Sequence, residues 1–216
     1  MSLIRKTWML DTMLPARLTQ PLDSPPKFRK PLRMMTEFRI NVRDGVYLSS
    51  VQPGDKAALL EHLRTRDVYE TTLNIPHPYS EADADWWINK RIEHTATRSK
   101  EVTFAIREAG GKLIGVVSAD NFEPGTAHQA EIGYWLAQPY WGQGIMTDAV
   151  GAFVRYAFAE LQVVRLTAHV FDFNIGSARV LEKNGFKLEG ILRQHCRKDG
   201  KLIDARFYGL LKDELS

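Results

Sequence analysis

An apolar strand, a loop holding two glycines and a long amphipathic helix follow one another between Ala130 and Leu161, and no other part of the chain constrains its fold as strongly. "AEIGYWLA", from Ala130 to Ala137, reads as a strand. "TDAVGAFVRYAFAEL" places Val150, Phe153, Val154, Ala157, Phe158 and Leu161 at helical spacing, giving a helix with one apolar face. Gly142 and Gly144 lie in the loop between them. A strand that runs through a short loop into a helix packed on the same sheet is a building unit of α/β proteins.

The flanking patterns extend that reading. "VYLSSV" (Val46 to Val51), "VTFAIRE", "LIGVVSA", "VVRLTAHVF" and "RFYGLLK" read as strands, with Ala109-Gly110-Gly111-Lys112 as a hairpin turn. "DKAALLEHLR" reads as a helix burying Ala57, Leu60 and Leu63, and a second helix after the proline-broken "IPHPYS" carries Trp86, Trp87 and Ile88. Only one of those adjacent tryptophans can face the core, because neighbours on a helix point about 100° apart. "NIGSARVLEKNGF" begins with a capping Asn174 and stops at Asn184-Gly185. The expected order is β-α-α-β-β-β-α-β-α-β, an α/β sheet of mixed strand direction without internal repeats.

Charge divides the chain into two parts. Residues 1–40 hold eight Lys/Arg against three Asp/Glu, a surplus of five, so the remaining 176 residues carry two net negatives. Five of the ten prolines also lie in that first stretch. A basic, proline-rich arm over 1–39 is therefore expected ahead of a nearly neutral domain over 40–216. Nothing in the arm interleaves aromatic side chains with base-reading groups, so direct nucleic-acid binding is not expected. Cys196 is the single cysteine, which excludes an internal disulfide and an all-cysteine zinc site. No apolar run has the length of a membrane span, and a cytoplasmic location is expected.

A helix N-terminus offers several backbone N–H groups without partners and about half a positive charge. Glycines just ahead of it let an anion reach those amides with no Cβ in the way. The loop lacks the third glycine of a dinucleotide fingerprint and the Gly-Lys-Ser/Thr of a P-loop. On spacing alone, a plain strand-to-helix turn and a phosphate cradle both remain open.

"EIGYWLAQPYWGQGIMTDAV", followed some 25 residues later by "NIGSARVLEKNGF", resembles the GNAT superfamily of N-acetyltransferases, and within it the RimJ/RimL-like branch acting on ribosomal-protein N-termini. The similarity covers roughly Ile40 to Leu211. It implies a mixed, twisted central sheet flanked by helices, with central strands splayed into an acetyl-CoA cleft. It also implies direct acetyl transfer from acetyl-CoA, as co-substrate, to a primary amine with no metal involved. The acceptor implied is a protein or peptide N-terminus; a small amine such as an antibiotic or polyamine, or a non-catalytic acyl-CoA-binding role, are the alternatives. No membrane partner is implied, and a homodimer is compatible with the resemblance.

The same resemblance assigns roles by residue. The family's pyrophosphate segment, Q/R-x-x-G-x-G/A, falls on Trp141, Gly144 and Met146, so the cradle is expected from Trp141, Gly142, Gln143, Gly144, Ile145, Met146 and Thr147. Met146 stands where the family carries Gly or Ala and is expected to crowd the cofactor. The pantetheine arm is expected along the backbone near Trp135 and Leu136, opened by Gly133, with Asn174 adding a contact. Glu131, on the strand face of Gly133, is the expected general base. Ser177, the serine of N-x-x-S, is the expected acid near the thiol. His169 is a reserve base, Asp204 matches an acidic position near the acceptor, Tyr134 reads as core and Cys196 as structural.

Overall fold

The computed structural model describes residues 38–98, 100–122 and 127–215, so the expected arm lies outside the described residues apart from Phe38 and Arg39. One eight-stranded sheet runs through the domain. Its strands are β1 (Arg39–Arg43), β2 (Val46–Ser50), β3 (Thr103–Glu108), β4 (Leu113–Asp120), β5 (Gln129–Leu136), β6 (Arg165–Phe171), β7 (Lys187–Lys198) and β8 (Lys201–Leu211). The spatial order is β1-β2-β3-β4-β5-β6-β8-β7, and every neighbouring pair is antiparallel except β5 with β6.

Helices cover both faces. On one face lie α4 (Ile145–Glu160) and α5 (Ile175–Lys183), where Val150, Phe153, Val154 and Phe158 join Ile132, Leu166, Tyr208 and Leu210 in the main core. Phe153 is fully buried, so trimming it to alanine costs about 3–5 kcal/mol. On the other face α1 (Lys56–Leu63), α2 (Arg66–Thr71) and α3 (Glu81–Arg98) bury Leu59, Leu63, Val68 and Ile88 against Ala105, Leu113 and Val116. Ser80 and Asp83 cap α3 reciprocally: the Ser80 N–H donates to Asp83 Oδ2 at 2.8 Å and the Asp83 N–H to Ser80 Oγ at 3.2 Å.

The buried stripe of α1 differs from the expected one. Ala58, Leu59, His62 and Leu63 face inward, whereas Ala57 is exposed and Leu60 only half-buried. His62 rotates the stripe because its ring is accommodated in the interior, with Nε2 3.2 Å from the Leu113 carbonyl oxygen. Among the described residues, two strands and one α-helix beyond the expected ten elements are present: β1, β7 and α2. The half of the sheet formed by β6, β8 and β7 carries only a small apolar cluster on the α1–α3 side, made of Phe171, Cys196 and Ala205 with Ile203.

Candidate active site

The parallel pair at the centre of the sheet comes apart. β5 and β6 are in register only at Gln129–Arg165, Ala130–Leu166 and Glu131–Thr167. Beyond that point β5 stays paired to β4 as far as Leu136, and β6 stays paired to β8 as far as Phe171. Each strand therefore turns one edge of backbone donors and acceptors into the gap between them, and such edges take an extended chain carrying amide groups. Gly133 lies at the mouth of the gap. A Cβ added there would stand 3.0 Å from Asp120 Oδ2, so a larger residue would have to push that carboxylate aside.

The gap leads to the start of α4. Gly142 and Gly144 take φ of +74° and +77°, the left-handed region that glycine enters without strain. Gly144 is the N-cap of α4 and makes no side-chain cap; the first helical bond joins the Asp148 N–H to the Gly144 carbonyl at 3.1 Å. The amides of residues 144–147 thus precede the helical ladder, as an anion cradle requires. No atom lies within 4 Å of a Cβ added at Gly142, so the loop is open there.

Side chains hold the loop from behind. The Trp141 indole donates to the Leu136 carbonyl at 2.7 Å, and Gln143 Nε2 donates to the Pro139 carbonyl at 3.0 Å. Asn184 Nδ2 donates to the Thr147 carbonyl at 3.0 Å. Arg43, at the end of β1, donates from Nη1 to the Gln143 carbonyl and to Asp148 Oδ2, both at 3.0 Å. Nothing local in the sequence singles out Arg43, since only the folded sheet carries β1 to this loop. Ile145 is buried, and the Met146 side chain, expected to crowd a cofactor, packs in the main core with 7% of its surface exposed. The Leu136 carbonyl is engaged by Trp141, while Trp135 lies half-buried against the α1–α3 cluster.

Two polar groups flank the gap. At its closed end Glu131 Oε1 lies 2.6 Å from His169 Nδ1, and Glu131 Oε2 accepts from Asn121 Nδ2 at 3.1 Å. The His169 ring stacks on His195, with centroids 4.9 Å apart, and packs on Phe207. Burial and the neighbouring His169 push the His195 imidazole below its ordinary value. Asp120 is the register partner of Glu131 and lies 3.9 Å from Arg91. The atoms packed around its carboxyl push its pKa up, although 49% of the side chain stays open to solvent.

On the opposite face of β5, the Tyr134 hydroxyl lies 2.8 Å from Ser177 Oγ and 3.1 Å from the Ser177 carbonyl oxygen. Burial raises the Tyr134 phenol far above its ordinary value, so it stays protonated. Tyr134 packs on the main core as expected, yet its polar end reaches Ser177, and strand parity was the signal that could have revealed this. Asn174 caps α5, accepting the Ser177 N–H at 3.1 Å.

The remaining expectations divide. Asp204 closes an irregular stretch of β7 by accepting the Gln194 N–H at 2.7 Å, and this stretch carries His195 over the site. Cys196 is buried and its thiol is shifted up by burial, as a structural residue. Trp87 packs inward while Trp86 is 62% exposed. Among the described residues, no three His, Cys, Asp or Glu are grouped to hold a metal ion, and no helix is long and apolar enough to cross a membrane.

The chain is similar to known proteins. The acetyltransferase (GNAT) domain profile matches residues 46–187. The chain is 41% identical over 118 residues to "Probable N-acetyltransferase YjcK" of Bacillus subtilis (strain 168), covering 54% of this chain and 65% of that protein. It is 39% identical over 102 residues to the ribosomal-protein-serine acetyltransferase of Escherichia coli (strain K12), covering 47% and 56%. The matched stretch is therefore less than two thirds of each relative's length. In fold it is similar to Mycobacterium smegmatis RimJ in complex with CoA-disulfide, with a TM-score of 0.69 and 24% identity over 79% of this chain and 83% of that one. A split β5–β6 pair opening onto an uncapped glycine loop, within a profile match spanning most of the described chain, places this protein in the GNAT acetyltransferase domain family.

Proposed function

We propose that this protein transfers acetyl from acetyl-CoA directly to a primary amine, with the N-terminal α-amine of a protein or peptide as the acceptor, through a domain over 40–216 preceded by a basic arm. The observation that carries the reading is the continuous path from the amides of residues 144–147, along the free edges of β5 and β6, to Glu131 at one side and Tyr134 with Ser177 at the other. The fit to acetyl-CoA rests on that path: amides and a helix dipole for the pyrophosphate, strand edges near Trp135 for the pantetheine amides, and a polar end for the thioester. Trp141, Gln143 and Asn174 shape its two ends. The RimJ structure contains a CoA species, and the E. coli relative is named for a ribosomal protein, which supports both halves of the proposal.

Transfer needs a proton removed from the attacking amine and one delivered to the departing sulfur. Glu131 belongs to the first task and Ser177, with Tyr134 beside it, to the second. Neither task uses a covalent enzyme intermediate.

A thiol-release assay tests the reading with acetyl-CoA and three acceptors: peptides with free N-termini, the same peptides N-blocked, and small polyamines or aminoglycosides. Thiol release with the free peptides alone supports it. Release with the small amines alone changes the acceptor class, and tight acetyl-CoA binding without release to any amine makes the protein a binding module.

A further inference from the structure

We propose that His169 is the group that takes the proton from the acceptor amine, and that Glu131 acts through it as a positioning residue. This rests on the acetyl-transfer reading above. Each oxygen of Glu131 has a side-chain partner, Oε1 with His169 Nδ1 at 2.6 Å and Oε2 with Asn121 Nδ2 at 3.1 Å. An ionised carboxylate can only accept, so the proton of that short contact resides on Nδ1. In the neutral ring Nε2 then carries the free lone pair, and it makes no hydrogen bond to any described residue. The carboxylate thus selects the tautomer in which Nε2 can accept a proton.

The backbone puts that nitrogen's ring at the right place. The β5–β6 register ends at Glu131–Thr167, and two residues further, on the same face of each strand, stand Gly133 and His169. They form the first same-face pair across the open gap, the glycine leaving room and the histidine supplying the chemistry. Leu166, Ala168 and Val170 point into the main core, which places His169 on the other face, where its side chain keeps 22% of its surface open beside a small apolar cluster. An acceptor can approach from that side. The ring is held between His195 and Phe207, so its orientation is set by packing as well as by Glu131.

In the step, the neutral amine nitrogen bonds to the thioester carbon as its N–H proton passes to His169 Nε2. The carbon–sulfur bond then breaks with its electron pair on sulfur, which takes a proton from the Ser177–Tyr134 pair. His169 releases its proton to solvent and the hydroxyl pair regains one.

The charged and titratable groups around the ring are Glu131 on β5, Asp120 at the end of β4 with Arg91 of α3 beside it, and His195 and Cys196 on β7. Among the described residues, His195 is the one neighbour able to imitate an imidazole titration, so His195→Gln is measured alongside.

The experiment follows kcat/KM against pH for wild type, His169→Gln, Glu131→Gln and His195→Gln, using whichever amine wild type turns over, with CoA affinity measured for each. Wild-type activity is expected to rise with pH along an acid limb. In His169→Gln that limb is absent and turnover falls by at least about a hundredfold, while CoA affinity stays within about threefold. In Glu131→Gln the limb persists while turnover falls, since the amide no longer fixes the tautomer of the ring. The limb also persists in His195→Gln. Imidazole added to His169→Ala is expected to restore part of the lost rate, a result that a structural role would not produce. Near-wild-type activity of His169→Gln beside an inactive Glu131→Gln overturns the proposal. If His169→Gln does not fold, loss of the limb in Glu131→Gln overturns it as well. A wild-type protein that releases no thiol with any amine sinks the acetyl-transfer reading itself, before any variant is compared.

Discussion

The hydroxyls of Tyr134 and Ser177 lie 2.8 Å apart, one on β5 and the other in the first turn of α5, so the pair spans the open gap at the centre of the sheet. Burial keeps the phenol protonated across the working pH range. Two O–H protons are therefore held at the side of the gap opposite His169. Removing the phenolic oxygen in Tyr134→Phe is expected to lower kcat roughly a hundredfold, the lower end of what proton transfer supplies. CoA affinity should remain within about threefold. A variant whose kcat is unchanged would take the pair out of the chemistry.

Arg43 ties the edge of the sheet to the glycine loop through Gln143 and Asp148. Both partners in the ion pair are more than two-fifths exposed, so the pair itself contributes at most about 1 kcal/mol to folding. Its larger effect is on the loop, whose two left-handed glycines leave it free to move once released. Arg43→Ala is expected to weaken CoA binding roughly three- to thirtyfold by calorimetry and to leave the melting temperature of the ligand-free protein nearly unchanged. Equal CoA affinity in variant and wild type would show that the loop holds its own shape.

Asp55 and Arg107 form a bidentate pair inside the domain, with Nη1–Oδ1 at 2.6 Å and Nη2–Oδ2 at 3.0 Å and both side chains only 5% exposed. Arg107 Nε also donates to Ser49 Oγ at 2.7 Å, which ties β3 to β2 and to the turn before α1. Asp55→Ala strands a buried guanidinium and is expected to cost about 3–5 kcal/mol in denaturant unfolding. A loss below about 1 kcal/mol would mean that water reaches Arg107.

His62 gives the fold its own pH dependence. Burial holds its imidazole below the ordinary 6.5, outweighing the nearby Glu61 carboxylate that acts the other way. The unfolded chain therefore binds a proton at a pH where the folded chain does not, and stability falls as pH drops below about 6.5. The loss levels off once the folded-state value is passed. Melting temperatures taken from pH 8 to pH 5 should fall on the acid side for wild type, and the fall should be shallower in His62→Gln. Parallel curves for the two would remove His62 from the acid sensitivity.

How far the sequence carried depended on whether a feature was local. The succession of β5, loop and α4 was readable because apolar periodicity and two glycines lie next to one another in the chain. The α5 cap was equally legible, since Asn174 and the Ser177 N–H are three residues apart. β7 was not, because its pairing with β8 is interrupted twice, between Leu188 and Gly190 and between Leu192 and Cys196, so no period of two survives. α2 is only six residues long and carries one buried side chain, too little for a periodic signal. At the site, Glu131 could be chosen from its strand face, but its contact with His169 depends on which strands are neighbours and where they separate. The same holds for Arg43, which reaches a loop 100 residues away.

The most direct test of an acetyl-CoA cradle at the start of α4 is thermal unfolding with acetyl-CoA, CoA, ATP and NAD, each near 100 times the dissociation constant expected for a specific ligand. Specific binding at that level adds about 2.7 kcal/mol to the folded state, a rise of roughly 5–11 °C for a domain of this size. The predicted result is that rise with acetyl-CoA and with CoA, and none with NAD. No shift with either CoA species would contradict the cradle and reduce Gly142 and Gly144 to an ordinary turn.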